Sequence, residues 1–521
     1  MPLIEAFFDQ ISTILGPDNV SRDSSAGALV GPKGKTAYGD PYPLDEAVKR
    51  SPVGAVRPST VEEVQAVIRA ANVFHVRLWT VSRGKNLGYG GTCPVVNGTV
   101  VLDLHRMTKI IEINEEFGYA IVEPGVSFFD VYEEIQKRKL KLWPSCPAIG
   151  WGSILGNTLD RGFGYTPGGE HSQVQCGMEV VLPSGELLRT GMGAMPDSKL
   201  FGLYKGGFGP SIDGLFFQSN FGVATKLGYH VTPAPEAYCR FKINFAEEED
   251  LIPMIDTLTD LLRRNIIGNS PSVSNIFRDA IVSGDPDAIA AVKPYLGTDK
   301  YVPYDVMDKL RRQKGWGFWT AHFALYGSRE VVPALRDTVK RAFAKVPGAT
   351  IKECELYTAP EDEVLNASIV GEEEIPNTGV PTLSPLGLLD FGREPGSYHT
   401  CFSPLIPPSG KALYDWYITA KKRTVDARFD FFADFHVYAR YVIGIELVMY
   451  TDAEKERMKG SSFMDDVASH FDFNGGVFNK FLTRIKDSLD PNGILSPGKS
   501  GVWNSAGPGS RLHGASEVPK L

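Results

Sequence analysis

The sequence predicts an α+β protein of two domains, the first of them closed by the C-terminal tail. Three observations carry this. Short strand-like apolar runs and amphipathic helical stretches interleave along the chain. Glycine is dense in the first 230 residues, thins after Pro233 where long helices alternate with strands, and returns with proline at 489–501. The length, 521 residues, is enough for two domains and a large core. The expected limits are 1–235 for the first domain, 236–470 for a second inserted as a cap, and 471–521 for the segment that returns.

Composition narrows the class. A chain that is 43% hydrophobic and 22% charged is of the soluble globular kind. With 54 Lys+Arg against 62 Asp+Glu the net charge is −8, which argues against a nucleic-acid partner. Six cysteines lie scattered without a CxxC pair, so reduced thiols, an intracellular cytoplasmic protein and no metal site are expected. No apolar run reaches the ~18 residues of a membrane span, so no membrane partner is expected. The N-terminus puts acids inside its apolar run, unlike a signal peptide. The final Pro519-Lys520-Leu521 is close to the Ser-Lys-Leu peroxisomal address, with the first residue wrong; a peroxisomal location stays open.

Residues 1–39 read as one amphipathic helix and a polar Ser/Gly/Lys-rich strap. Ser59 with Glu62 forms an expected capping box, after which Val61, Val64, Ile68 and Ala71 line one helical face. A strand over 76–81 then runs into the stretch 81–94, where Gly84, Gly88, Gly90 and Gly91 fall close together. Successive inward N–H groups there would make an anion nest suited to a pyrophosphate. An ordinary turn between strands would use the same residues, and the spacing is neither G-x-G-x-x-G nor a Walker loop.

Strands over 99–104, 110–114 and 119–123 and a helix over 128–137 follow. A second glycine-rich stretch, 149–169, suggests backbone pressed against a flat ligand. Residues 178–182 and 186–190 flank Pro183-Ser184-Gly185 as a hairpin, and 214–225 leads into another small-residue turn. Beyond the boundary come helices over 247–264 and 330–344 and strands over 318–326 and 433–450. On the last, Asp434, His436, Tyr438 and Arg440 alternate with Phe435, Val437, Ala439 and Tyr441, which puts four polar groups on one face. That face looks either at water or into a cavity.

Several of these stretches resemble the vanillyl-alcohol oxidase family of 4-phenol-oxidising flavoproteins. The matching segments are Gly84-Lys85-Asn86-Leu87-Gly88-Tyr89-Gly90-Gly91, Val122-Glu123-Pro124-Gly125-Val126, Gly152-Ser153-Ile154-Leu155-Gly156-Asn157 and Arg161-Gly162-Phe163-Gly164-Tyr165-Thr166-Pro167. Arg189-Thr190-Gly191-Met192-Gly193-Ala194 and the tail 490–503 add to them, so the likeness runs from about 40 to 503.

The resemblance implies a PCMH-type FAD-binding domain under a cap domain. FAD would be held by Ser82, Gly84, Lys85, Asn86, Leu87, Gly88, Tyr89 and Gly90 around the pyrophosphate. Pro147, Gly150, Gly152, Ser153, Gly156, Asn157 and Tyr165 would line it from the second stretch. Gly222, Val223 and Lys499 would complete the cradle, Lys499 at the ring's pyrimidine edge. Tyr398-His399-Thr400-Cys401-Phe402-Ser403-Pro404 matches the segment whose histidine bonds covalently to the 8α-methyl of FAD, with Tyr398 in reserve and Tyr42 supporting His399.

The implied reaction takes a hydride from a carbon para to a phenolate, or from an alcohol or allylic carbon of an aromatic or specialised metabolite, to flavin N5. Dioxygen then reoxidises the flavin and yields peroxide. A dehydrogenase with another acceptor and a non-redox binding role for the flavin are the alternatives. A homodimer or higher homo-oligomer is expected.

The catalytic groups depart from the family pattern. Tyr89 matches a phenolate-binding tyrosine, but Ala148 stands where an aspartate is usual. The Tyr-Arg pair that precedes the match at Phe463-Met464-Asp465 is missing, with Arg457 a stray candidate in a lysine/glutamate run, and Ile443-Gly444 replaces a double histidine. Simple 4-alkylphenols should therefore bind weakly. The resemblance aligns Asp434 with a cavity wall opposite Ala148, which makes it the expected relocated base. Desolvation beside Phe163 and Ile445 would raise its pKa and deliver the proton from the opposite face of the substrate. His436, Tyr441 and Arg440 are the further catalytic candidates on that strand.

Overall fold

The computed structural model describes residues 2–23, 38–42, 51–283, 285–295, 298–370, 375–386, 398–459 and 467–507. The polar strap, the segment at Phe463-Met464-Asp465 and the Pro-Lys-Leu terminus lie wholly or largely outside them. No helix among the described residues is long and apolar enough to cross a membrane.

Among the described residues, the N-terminal half is built on two larger sheets, with Leu142–Trp143 and Thr232–Pro233 forming a further antiparallel pair. In a four-stranded sheet, Gly54–Val56, Val100–Asp103 and Leu78–Val81 run parallel, with Val20–Ser21 antiparallel at the edge. The second has five antiparallel strands in the order Ile110–Asn114, Tyr119–Val122, Val223–His230, Gln175–Val181, Leu187–Arg189. Gly54–Val56 and Val100–Asp103 are buried throughout, as strands covered on both faces are, while Leu78–Val81 is half-buried at Trp79 and Thr80.

The helix Val61–Phe74 shows how the elements are set. Val64, Val67, Ile68 and Ala71 are buried at helical spacing and pack with Phe7, Phe8 and Ile11 of the first helix. Its cap is one residue later than expected. Thr60 Oγ1 accepts from the Glu63 N–H at 3.2 Å, while the Glu63 carboxylate takes the Ser59 N–H and hydroxyl. Two adjacent hydroxyl residues followed by two adjacent glutamates permit either register. The helix Phe128–Arg138 has a full capping box from Ser127 and Asp130.

The C-terminal tail returns to this half. Leu78 N–H donates to the Ile494 carbonyl and Ser496 N–H to the Leu78 carbonyl, which adds Leu495 alongside Leu78–Val81. Lys486 fixes this return from inside. Its buried ammonium donates to the carbonyls of Asn220 and Leu495 and pairs with Asp490 at 2.7 Å. Asp490 in turn accepts the N–H groups of Ile494 and Leu495.

The remaining large sheet has eight strands. Seven lie in the order Ala349–Thr358, Ala237–Phe245, Trp319–Gly327, Ser272–Asn275, Phe432–Val437, Val442–Tyr450, Tyr398–Phe402, and Leu405–Ile406 also pairs with Val442–Tyr450. Helices Leu251–Arg263, Val331–Phe343 and Gly410–Asp426 pack on it around Trp319, Phe323, Phe343 and Tyr417.

The strand expected over 433–450 is two strands. The run breaks after Val437 and returns at Val442, with Tyr438 N–H donating to the Tyr441 carbonyl and their rings stacked at 4.7 Å. Alternation survives a tight hairpin turn, and this turn carries no glycine, asparagine or proline to mark it. The helix expected from 247 starts as a 3₁₀ turn, Glu248–Asp250, before Leu251.

Candidate active site

The glycine loop is shaped by what lies against it. Gly88 has φ +81°, and a Cβ there would lie 2.6 Å from His399 Nε2, so only glycine fits. Among the described residues, no atom lies within 4 Å of where a Cβ of Gly90, at φ +88°, would be, and the same holds for Gly152 in the second stretch. The loop is fastened from both sides. Arg83 donates to the carbonyls of Trp151 (3.0 Å) and Gly125 (2.7 Å), and Lys85 Nζ sits 4.8 Å above the Trp151 ring. Ser82 touches Gly156, where any side chain would collide with its hydroxyl. Ser153 caps the helix Ile154–Leu159 and donates to the Pro124 carbonyl, so the two glycine-rich stretches form one wall.

His399 enters this wall from the large sheet. Its ring lies 5.1 Å from that of Tyr42, whose carbonyl is anchored by the Tyr450 hydroxyl. Burial pushes its pKa down to about 4, only partly opposed by a backbone hydrogen bond with Leu87, so the imidazole is neutral. Its Nδ1 is buried with no hydrogen-bond partner among the described residues. Tyr398, the reserve candidate, points to the other face, stacked on Tyr450 at 5.6 Å with Lys455 Nζ 4.5 Å above its ring.

Register places further groups on the face that carries His399. Residues directly opposite in antiparallel strands share a face. His399 pairs with Met449, Cys401 with Leu447, Asp434 with Ile445, and His436 with both Ile443 and Ser272. This face meets both glycine-rich stretches, the first through His399 and the second through His436, whose ring lies 4.1 Å from Phe163 and 5.3 Å from Tyr165. His436 is 1% exposed, and burial lowers its pKa even against the pull of Asp434, leaving a neutral ring with Nδ1 unpartnered among the described residues.

The four-membered polar face does not survive intact. Asp434 is buried, but it is not an isolated carboxylate. It accepts from the Ser272 hydroxyl at 2.8 Å and pairs with Arg278 Nε at 3.5 Å. Arg278 comes from the helix Ile276–Val282, an element that nothing in the local sequence ties to Asp434. Arg440 is exposed at the hairpin turn and does not join the cluster. Tyr441 donates to Glu170 at the mouth of the second glycine-rich stretch, away from Asp434. Arg457 is not a solvated member of a charge run: it pairs with Glu454 at 2.8 Å, donates to the Thr298 carbonyl and stacks 4.4 Å over Phe429.

The other expected cofactor residues divide by what holds them. Tyr89 is 44% exposed, with its hydroxyl 3.4 Å from that of Ser403. Asn157 is committed to His171 Nδ1 at 2.6 Å. Gly150 is pressed against Pro381 and donates to the Thr382 carbonyl, and Gly222 lies against Val180, so both have packing reasons to be glycine. Pro147 is half-buried beside Cys146, and Val223 is buried at the start of the strand Val223–His230. Lys499 stands 3.6 Å from Asp160. The space beside Gly90 and Gly152, with a buried His399 imidazole whose Nδ1 has no hydrogen-bond partner among the described residues, fits FAD. Arg278, Ser272 and Glu170 are the groups that sequence reasoning missed.

An FAD binding domain family matches residues 52–191. The chain is 34% identical over 514 residues to the 4-cresol dehydrogenase [hydroxylating] flavoprotein subunit of Pseudomonas putida, covering 94% of each protein. It superposes on 4-ethylphenol oxidase from Gulosibacter chungangensis, in its isoeugenol complex, with a TM-score of 0.85 at 32% identity, covering 97% and 98% of the two chains. For p-cresol methylhydroxylase with substrate bound, the TM-score is 0.84 at 30% identity, with 96% and 98% covered.

Proposed function

Since the chain belongs to the family of FAD-linked oxidoreductases that contains the 4-cresol dehydrogenase flavoprotein subunit and 4-ethylphenol oxidase, we propose that it oxidises the benzylic carbon of a 4-substituted phenol or related aromatic alcohol. The observation that carries this reading is the seating of His399 against Gly88, on the sheet face that also bears Asp434 and His436. FAD is attached covalently through His399 and cradled by the residues from 82 to 91, with Lys499 at the far edge. Bound there, FAD supplies a hydride acceptor and a route for the electron pair to dioxygen, with hydrogen peroxide as the by-product.

The chain's own residues position the substrate and handle its proton. Tyr89 donates to the substrate's phenolic oxygen and so stabilises the phenolate from which the hydride leaves. Ile443 and Ile445 lie opposite His436 and Asp434 on the same face, and Ile443-Gly444 stands where the family pattern has a double histidine, which suits a substrate with an apolar para substituent. His436 is neutral and its Nδ1 has no partner among the described residues, so that nitrogen can take the substrate's proton while Asp434 is engaged by Arg278 and Ser272.

The relatives' names divide on the acceptor, one a dehydrogenase and the other an oxidase. We assign dioxygen, and stopped-flow mixing of the reduced protein with oxygen decides it: reoxidation within seconds is expected, and persistence of the reduced flavin would transfer the assignment to another acceptor. The substrate class is tested by anaerobic mixing with 4-ethylphenol, 4-cresol and vanillyl alcohol. Loss of the oxidised flavin's colour with at least one of them is expected; no bleaching with any would sink this reading.

A further inference from the structure

Away from the candidate site, two thiols face each other at the edge of the large sheet. Cys239, fully buried on Ala237–Phe245, and Cys354, half-buried on Ala349–Thr358, hold their Sγ atoms 4.0 Å apart. Cys239 lies opposite Leu356 and Phe241 opposite Cys354, so the cysteines are diagonal neighbours on one face. A disulfide bond is about 2.05 Å long, so the sulfurs must close by about 2 Å. Ala349–Thr358 can give that movement. It ends the sheet, paired on one side only, and its register with Ala237–Phe245 slips beside Lys242.

We propose that Cys239 and Cys354 are a redox pair that hydrogen peroxide converts to a disulfide, stapling the edge strand to its neighbour. Cys354 reacts first because solvent reaches it. Its thiolate attacks a peroxide oxygen, the O–O bond breaks, one oxygen leaves as hydroxide and becomes water, and Cys354 is oxidised to the sulfenic acid. The Cys239 thiolate then attacks that sulfur, the S–S bond forms, the S–O bond breaks, and the second oxygen leaves as water. Two thiols and one peroxide thus give one disulfide and two waters.

The surroundings suit these roles. Burial, and then the neighbouring Cys354, push the Cys239 thiol's pKa up, so Cys354 is the thiol that reacts with peroxide first. Arg336 and Lys340 of Val331–Phe343 act against that rise and favour the thiolate needed for the second step. Downstream of Ala349–Thr358, Leu365 accepts from the indole of Trp143, and Thr382 accepts from the Gly150 N–H. The staple therefore secures the strand that leads to the segment lying over the second glycine-rich stretch. An oxidase would generate the oxidant itself, a link that rests on the proposed function; the pairing of the thiols does not.

The test adds equimolar hydrogen peroxide to the purified holoprotein without substrate, blocks free thiols with N-ethylmaleimide and digests with trypsin under non-reducing conditions. The peptide ending at Arg240 should be joined to the one beginning at Glu353, and dithiothreitol should separate them. Cys354→Ser should lose the cross-link, and the oxidised wild type should melt at a higher temperature than the reduced form, with no such shift in the variant. The proposal is overturned if both cysteines remain alkylated, if Cys354 passes to the sulfinic acid without joining Cys239, or if the variant shows the same shift. Because peroxide is supplied, a missing oxidase activity would leave this result unaffected.

Discussion

The His399 imidazole lies directly on the backbone of Gly88, with Nε2 2.6 Å from the point a Cβ would occupy. Two segments from opposite ends of the chain thereby share one contact, and neither can change alone. Gly88→Ala places a side chain at φ +81° and in collision with the ring. Backbone strain and overpacking together should cost roughly 1–3 kcal/mol. Urea denaturation and flavin content per chain would show this as a lower midpoint and incomplete loading, whereas Gly90→Ala, at φ +88° with no described atom within 4 Å, carries backbone strain without a collision and should lower the midpoint less while still losing flavin.

His399→Ala should bind FAD without retaining it. Acid precipitation of the wild type should leave the flavin on the protein, and a tryptic peptide spanning His399 should carry its mass. The variant should release all of its flavin to the supernatant. Release from the wild type as well would remove the covalent link while leaving the cradle intact.

Stability of the flavin-free protein should depend on pH through its buried histidines. His399 has its pKa pushed down to about 4 and His171 to about 3, both by burial, from an unfolded value of about 6.5. Between these values the unfolded chain binds more protons, so stability is fully present above about pH 6.5 and falls as the pH drops toward 4. Urea midpoints measured from pH 7.5 to 4.5 should decline, and His399→Ala should flatten the slope by about one proton's worth.

Asp434→Asn should reduce the rate of substrate-driven flavin reduction by roughly 10²–10⁴-fold if the Asp434–His436 pair handles the proton. It also leaves Arg278 facing a neutral partner in a buried site, a change of the kind that costs about 3–5 kcal/mol when a pair is broken outright. The two effects separate in Arg278→Met/Asp434→Leu, which should recover stability and not rate. A single variant with unchanged reduction kinetics would assign Asp434 a structural role alone.

Lys486→Met should be among the most damaging changes far from the site. It strands Asp490 in the core and releases two carbonyls, at about 3–5 kcal/mol. Limited proteolysis should then cut near 490–503 in the variant while the wild type resists.

Much of this protein was legible locally. The clustered glycines of 81–94, the apolar stripe of Val64, Ile68 and Ala71, and the alternation through Asp434 and His436 report conformational needs that each residue carries wherever it sits. His399 could be singled out by the likeness of its segment, but the strand Tyr398–Phe402 that carries it gave no signal of its own. What the local pattern could not hold was anything decided between distant segments. Whether 433–450 was one strand or two turned on Val437 pairing with Val442, since polar alternation reads the same through a tight turn. That Asp434 meets Arg278 instead of standing alone followed from the helix Ile276–Val282 packing on its sheet face. The contact of Gly88 with His399 likewise arises only when the large sheet closes on the glycine loop, because a collision between two groups is a property of their separation in space and not of either group's sequence.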